Sequence, residues 1–413
     1  MKIWKSFLLL PLLWMGMLSC SRDFSPITTT APGREFSPVE KALVQSSNAF
    51  GFRLFQEVNR EEGGKNLFLS PFSVSMALGM TLNGAAGGTE TDMRRTLGFG
   101  DLQQEDINAS YRNLLNLLPS VDPKTAMEIA NSIWYRQGYP VLPTFIDVNR
   151  VFFDALVQGL DFASPQAPGI INAWISDKTR GKIDRMIEEI DPATVMFLVN
   201  AVYFKGTWKF EFDPKSTSDD VFTRSDGSAL PCKMMRQKTT LGYYETETFQ
   251  AVDIPYGNGR YSMSVFLPKA GQSMDAFIAS LTAENWPSLK NGFLDREITL
   301  HFPKFKLEYE IKLNDALSAM GMAVAFQGGL SDFSRIAAEG RGLYIDQVKH
   351  KSFVEVDEKG TEAAAVTVVE IRETSAGPGN EILMRVDRPF LIVIRETSSD
   401  ALLFMGKMMS PAL

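Results

Sequence analysis

Histidine and cysteine, the side chains that most often hold zinc, are nearly missing from this sequence. Its 413 residues include only two histidines, His301 and His350, and two cysteines, Cys20 and Cys232. A zinc site needs three or four such ligands close together, so we expect no metal. A framework of disulfide bonds is excluded as well, because Cys20 lies in a stretch typical of an export signal.

A surplus of positive charge is also missing. The formal net charge is −7, while 45% of the residues are hydrophobic and 22% are charged. Nucleic-acid-binding proteins usually carry a basic surplus, so we expect no nucleic-acid partner. The balance is typical of a globular protein with a large core.

Motifs of common enzymes are absent too. The sequence has no Gly-x-Ser-x-Gly elbow, no P-loop, no Gly-x-Gly-x-x-Gly and no His-Glu-x-x-His. We interpret His301 and His350 as structural residues and Cys232 as an inert, partly buried thiol. With 49 acidic residues, no spacing singles out a pair of carboxylates. We therefore expect neither an enzyme nor a bound cofactor.

Residues 1–19 have the pattern of a signal peptide. Lys2 and Lys5 precede an apolar run from Phe7 to Leu18, which is too short to span a bilayer comfortably. The ending Met17-Leu18-Ser19-Cys20 resembles a bacterial lipobox, which predicts that Cys20 carries a lipid. The alternative is a plain secretory signal with an incidental cysteine.

The predicted anchor would be the only contact with a membrane, because no other stretch approaches the ~20 apolar residues needed to cross one. Ser21 follows the cysteine and implies the bacterial outer membrane, facing the periplasm or the cell surface. Residues 20–37 are rich in Ser, Thr and Pro and are interpreted as a flexible tether.

A folded unit is predicted from residue 38 onward. Ser37 can cap a helix, Pro38 suits its first position, and Glu40 completes a capping box. Apolar residues then recur at helical spacing. Further along the chain we predict helices at Asn172–Arg180 and Leu313–Met322, and strands at Val195–Phe204 (buried on both faces), Tyr261–Pro268, Glu297–Phe302 and Phe390–Ile394. With no repeat or linker in between, this pattern indicates one α+β domain over residues 38–413.

The segment Glu358–Glu370 (EKGTEAAAVTVVE) has no single structural preference. Gly360 favours a hinge. If the segment is a strand, small residues on one face could be buried, yet three consecutive alanines suit a helix better. The pattern is compatible with a segment that adopts two states, and equally with a short exposed helix followed by a loop.

Several motifs follow one another along the chain, namely Asn66–Ser73, Leu198–Trp208, His301–Phe305, Glu358–Ala365, Asp387–Phe390 and Leu403–Lys407 with Pro411. In this order they resemble the motifs of the serpin family. The resemblance runs from about residue 38 to the end. It implies three β-sheets, eight or nine helices and an exposed reactive-centre loop at about residues 358–386.

The resemblance also implies an irreversible suicide-substrate inhibitor that works as a monomer, with serine proteases as the first targets and cysteine proteases as a further class. The cleaved loop would insert into the main sheet and trap the acyl-enzyme. Thr361, Ala363 and Ala365, which would pass into the sheet interior, are small and uncharged, and this favours inhibition over the function of a non-inhibitory binding or carrier protein. The hinge residues are Glu358, Gly360, Thr361, Glu362, Ala363, Ala364 and Ala365.

Other residues take predicted roles from the same motifs. Ser70, Ser73, Asn200 and His350 would form the family's "shutter", a hydrogen-bonded cluster beneath the opening sheet. Trp208 would mark the "breach", where insertion begins. Lys304 would form an ion pair with Glu358 across it.

Family spacing from Thr361 places the reactive bond at Thr374-Ser375, with Arg372-Glu373 as the alternative. Thr374 suits elastase-like or subtilisin-like proteases with small pockets. Arg372 would instead suit trypsin-like or Arg-specific proteases.

Overall fold

The computed structural model describes residues 35–338, 340, 342–361 and 382–411. Within these ranges the chain forms nine α-helices and fifteen strands. The helices are α1 (Pro38–Glu62), α2 (Pro71–Leu82), α3 (Gly87–Leu97), α4 (Gln104–Leu117), α5 (Pro143–Phe153), α6 (Ala167–Lys178), α7 (Met274–Ser280), α8 (Trp286–Asn291) and α9 (Asn314–Leu317).

The strands confirm the predicted mixture of helix and sheet. They are β1 (Leu67–Leu69), β2 (Thr125–Arg136), β3 (Leu156–Leu160), β4 (Met196–Thr207), β5 (Ser218–Thr223), β6 (Ala229–Glu245), β7 (Phe249–Tyr256), β8 (Tyr261–Pro268), β9 (Leu294–Pro303), β10 (Phe305–Lys312), β11 (Lys349–Val356), β12 (Gly360–Thr361), β13 (Ile382–Arg385), β14 (Phe390–Glu396) and β15 (Leu402–Met408). The fold class is therefore α+β.

The start of α1 confirms the capping box. Ser37 Oγ accepts a hydrogen bond from the Glu40 backbone N–H, and the Glu40 carboxylate accepts one from the Ser37 N–H. These two bonds satisfy backbone donors that would otherwise have no partner in the first turn. The helix therefore begins at Pro38, as its sequence predicts.

The strands form two hydrogen-bonded sheets within the described residues, whereas three were predicted. One has six strands in the order β10-β11-β12-β4-β2-β3, and the other has nine, with β5 paired to β6. The long strand β6 explains the difference, because it pairs with β5 at its start, with β9 along its middle and with β7 at its end. Two layers are thus joined into one continuous ladder.

Two other predictions differ in detail. The predicted helix Leu313–Met322 is a four-residue α-helix followed by a wider turn over Ser318–Met322. Gly321, with φ of 109°, interrupts the helical backbone there. The first residues of β4 are half-buried, although both faces were predicted to be buried.

Helices cover both faces of β4. On one face Asn200 reaches α2, and on the other Val199 packs in an apolar cluster with Ile171 and Ile175 of α6. Neighbouring residues of a strand point to opposite faces, so α2 and α6 lie on opposite sides of the six-stranded sheet. This layering places Asn200 of β4 against the amino-terminal end of α2.

Candidate functional site

The site lies between two parallel strands. Strand β12 pairs antiparallel with β11 through Val356 and Thr361, and antiparallel with β4 through Gly360–Thr207 and Thr361–Gly206. Strands β4 and β11 therefore run in the same direction, and their carboxyl ends hold Gly360 and Thr361 between them. We call the space between β4 and β11 the slot. At its other end is a cavity of about 540 Å³, lined in part by Asn200 and His350.

Gly360 occupies a position where no side chain fits. A Cβ atom at this residue would lie 2.0 Å from the Gly206 carbonyl oxygen and 2.8 Å from the Thr207 Cα. Gly206 is restricted in turn, since its Cβ would lie 2.6 Å from Cδ1 of the Tyr256 ring. Two glycines thus allow the hinge backbone to approach β4 directly.

Thr361 is buried, with 3% of its surface exposed, and its side chain points beneath the sheet. Its Oγ1 shares a hydrogen bond of 2.6 Å with the hydroxyl of Tyr256, the last residue of β7. Burial raises the pKa of the Tyr256 phenol far above its ordinary value, so the hydroxyl keeps its proton.

Glu358, the first hinge residue, forms hydrogen bonds with three partners. Its carboxylate accepts hydrogen bonds from Lys304 Nζ at 2.7 Å and from Thr217 Oγ1 at 2.8 Å, while its carbonyl accepts one from the Phe212 N–H. Burial would raise the pKa of Glu358, but the bonds to the charged carboxylate outweigh it and lower the pKa overall. Glu358 is therefore ionised at neutral pH.

Trp208 closes the same end of the slot. Its indole N–H donates to the Asp357 carbonyl at 3.0 Å, and its backbone N–H donates to the Lys359 carbonyl at 2.8 Å. The indole stacks on Tyr256 with a centroid distance of 4.4 Å and an interplanar angle of 14°. We call Trp208, Thr217, Tyr256, Lys304 and Glu358 the breach cluster.

The four predicted shutter residues lie together at the cavity end of the slot. Ser70 caps α2, and its backbone N–H donates to Nε2 of His350 at 3.1 Å. Ser70 Oγ donates to the Leu403 carbonyl at 2.7 Å, and Ser73 Oγ donates to Oδ1 of Asn200. The amino-terminal end of α2 thus links β11, β4 and β15.

Asn131 of β2 completes this network. Its Oδ1 accepts a hydrogen bond of 2.6 Å from Nδ2 of Asn200, and its own Nδ2 donates to the Phe153 carbonyl at 2.7 Å. We call Ser70, Ser73, Asn131, Asn200 and His350 the shutter cluster.

His350 is neutral in this environment. The residue is 6% exposed, and burial lowers the pKa of its imidazole from 6.5 to about 4. Since its Nε2 accepts a hydrogen bond, the neutral form is the one that the contact requires.

His301 and Cys232 lie away from both clusters, in strands β9 and β6. Burial, with Arg236 and Arg385 nearby, lowers the pKa of His301. Burial raises the pKa of the Cys232 thiol, which is 7% exposed. The thiol therefore stays protonated, in keeping with the inert residue that was predicted.

Sequence reasoning missed Thr217, Tyr256 and Asn131. Each contributes through a partner more than 60 positions away in the chain, so no local spacing identifies the contact. For Asn131 the sequence offers one indication, which is a polar residue within a segment that otherwise has the pattern of a strand. The structure buries that side chain, with 2% exposed.

Several predicted residues lie outside the described part of the chain. They are Cys20, Glu362, Ala363, Ala364, Ala365, Arg372, Glu373, Thr374 and Ser375. Their roles remain predictions. Among the residues that are described, no cluster of His, Cys, Asp or Glu could hold a metal ion, and no helix has the length and apolar character to span a membrane.

Known proteins resemble this chain over most of its length. Iripin-2 of Ixodes ricinus is 33% identical over 375 residues, which cover 89% of this chain and 93% of the relative. The crystal structure of tengpin, a thermophilic serpin, in its native state superposes with a TM-score of 0.82 at 32% identity, covering 92% of this chain and 97% of tengpin. Human thyroxine-binding globulin, complexed with thyroxine, gives a TM-score of 0.83 at 28% identity, covering 91% of this chain and all of that one.

The match to a family model is equally extensive. Residues 45–411 match the model described as Serpin (serine protease inhibitor). This match covers more than half of the chain and includes both clusters. The chain therefore belongs to the serpin family.

Proposed function

We propose that this serpin is an irreversible suicide-substrate inhibitor of serine proteases, and of some cysteine proteases. The observation that supports this most directly is the position of Gly360 and Thr361, paired between two parallel strands at the entrance of a slot. The loop follows Thr361 directly in the sequence. Cleavage would free it to continue as a strand along that slot.

The reaction begins as ordinary proteolysis. The protease's nucleophile attacks the carbonyl carbon of Thr374, an ester or thioester forms, and Ser375 leaves as a new amino terminus. We propose Thr374-Ser375 as the main bond and Arg372-Glu373 as the alternative. Elastase-like or subtilisin-like proteases are the first expected targets, and trypsin-like or Arg-specific ones the second.

Insertion then separates the acylated enzyme from its starting position. Strand β4 has 12 residues, and at ~3.3 Å per residue it provides a track of roughly 40 Å. If the inserted strand forms about one new backbone hydrogen bond per residue, and each contributes ~0.5–1.5 kcal/mol, the gain is roughly 6–18 kcal/mol. A gain of that size rivals the stability of a whole domain and is enough to distort a catalytic site.

The two clusters have separate roles in this proposal. The breach cluster holds the hinge at the point where insertion starts. The shutter cluster, at the cavity end, holds the strands on which insertion must finish. Both act through conformation, and we propose no catalytic residue in this chain.

The amino-terminal predictions complete the proposal. Residues 1–19 are an export signal, residues 20–37 a tether, and residues 38–413 one monomeric serpin domain. A lipid on Cys20 anchors the protein to a bacterial outer membrane, and without that lipid the protein is secreted. Incorporation of labelled palmitate into the wild type, and its loss in Cys20→Ala, would support the anchor. A wild type that takes up no label would contradict it.

One gel tests the inhibitory function. Incubation with elastase-like and trypsin-like proteases should give a covalent complex that survives SDS and boiling. Mass spectrometry of the released carboxyl-terminal fragment identifies the bond, since the fragment begins at Ser375 or at Glu373. If every protease cuts the loop and leaves fully active, the inhibitory function is wrong.

A non-inhibitory carrier is the second candidate. It is favoured by the close superposition on thyroxine-binding globulin, whose structure holds a thyroxine molecule. A carrier need not gain stability on cleavage. If the cut form melts at the same temperature as the intact form, this second function is preferred.

A further inference from the structure

We propose that Tyr256 is a positioning residue for the hinge. Its hydrogen bond to Thr361 sets the fraction of molecules in which Gly360 and Thr361 are docked, meaning paired between β4 and β11. The inference deepens the proposed function and rests on it for its link to inhibition.

The bond connects two different sheets. Tyr256 ends β7 in the nine-stranded sheet, while Thr361 belongs to β12 in the six-stranded one. The two side-chain oxygens are 2.6 Å apart, and the residues are 0% and 3% exposed. A buried hydrogen bond is therefore made only when the hinge is docked.

The Tyr256 ring cannot follow the hinge if the hinge leaves. It stacks on Trp208 at 4.4 Å and meets Phe204 edge-on at 5.2 Å, with Gly206 against its other side. When Thr361 leaves, the hydroxyl stays in the core and loses the partner that the docked hinge supplies. An unsatisfied buried hydroxyl is unfavourable, so the bond shifts the equilibrium toward the docked state.

The docked fraction controls the start of insertion. Thr361 is the first loop residue that pairs with both β4 and β11. Each later residue of the loop must pair with these strands after it. When only the docked state can continue, the insertion rate scales with its population. Tyr256 thereby influences the partition between trapping and release without touching the protease.

Hydrogen exchange tests the docking step without any protease. In Tyr256→Phe the backbone amides of residues 357–361 should exchange about five-fold faster, because one hydrogen bond is lost. Thr361→Val should give the same increase, and the double variant should add little more. Thr361→Ser, which keeps a hydroxyl, should exchange nearly as slowly as the wild type.

Tyr261→Phe is the matched control. Tyr261 is also fully buried and packs on Phe204 at 5.5 Å, but its hydroxyl donates to the Leu118 carbonyl, away from the hinge. This variant should leave exchange at residues 357–361 unchanged. Unchanged hinge exchange in both Tyr256→Phe and Thr361→Val, or effects that add fully in the double variant, would overturn the inference.

A second measurement checks the link to insertion. After the loop is nicked with a non-target protease, the change in tryptophan fluorescence should be about three- to ten-fold slower in Tyr256→Phe than in Tyr261→Phe. Equal rates would overturn that link. If the variants show these effects but the wild type forms no covalent complex, the proposed function is contradicted and the role of Tyr256 remains.

Discussion

The breach cluster and the shutter cluster border one slot, yet they use opposite kinds of polar contact. The breach cluster contains an ion pair whose Lys304 and Glu358 side chains are 26% and 12% exposed. The shutter cluster consists of neutral hydrogen bonds, with His350 only 6% exposed. Water and salt can therefore weaken the end that holds Gly360 and Thr361, while the far end depends on complete burial.

The largest effect is expected from a charge placed in the hinge. Thr361→Arg would need to bury a guanidinium beside Tyr256, at a cost of several kcal/mol. Complex formation should be lost, and the protein should become a substrate that is cut and released. The gel with an elastase-like protease measures this, and Thr361→Ser is the control. A variant that still traps the protease would refute the importance of the hinge.

Acid should weaken the shutter cluster before the breach cluster. The pKa of His350 is about 4 in the folded chain and 6.5 in the unfolded one. Between these pH values the unfolded state binds the extra proton, so stability falls as the pH falls, by on the order of 3 kcal/mol in total. Below about pH 4 both states bind the proton and this loss ends.

Glu358 behaves differently. Its pKa is lowered in the folded chain, so its contribution is lost only as the pH falls below the ordinary range of a glutamate. Urea unfolding from pH 7 to 3 measures both effects. His350→Gln should flatten the curve in the upper part of this range. If His350→Gln keeps the full dependence of the unfolding free energy on pH in that range, the dependence arises from groups other than His350.

Removing Asn200 should break the shutter network at its centre. Asn200→Ala leaves the Ser73 hydroxyl and the Asn131 side-chain oxygen without the partner they have now. We expect the free energy of unfolding to drop by about 1–3 kcal/mol. Ser73→Ala and the double variant complete a cycle in urea, and the double loss should be smaller than the sum. Strict additivity would show that the two residues do not interact.

The smallest effect is expected at the breach ion pair. Lys304→Met should lower stability by about 0.5–1 kcal/mol at low salt and by less in 1 M salt. Lys233→Met is the control, because its pair with Asp219 is 49% and 87% exposed, and no measurable change is expected. A salt-independent loss at Lys304 would mean that packing, not charge, holds this end.

Local signals in the sequence predicted local structure well. The Ser37 capping box and the strand Tyr261–Pro268 are both confirmed, because neighbouring residues determine them. The joining of two layers into one nine-stranded ladder was not predicted, since it depends on which partners the long strand β6 finds elsewhere in the chain.

The same limit applied to the site. Motif resemblance named Ser70, Asn200 and His350, which the structure brings to one end of the slot. It did not name Tyr256, because 105 residues separate it from Thr361 and only the meeting of two sheets joins them. Contacts between layers are set by tertiary packing, which no periodicity encodes.

The close approach of Gly206 and Gly360 has a consequence for sequence variation. Neither position can accept even a methyl group without moving backbone or an aromatic ring. In a saturation library selected for trapping activity, Gly206 and Gly360 should tolerate fewer substitutions than any other position of the sheet, including the polar positions nearby. A side chain at Gly206 could survive only if the Tyr256 ring moved, and one at Gly360 only if the backbone of Gly206 and Thr207 moved.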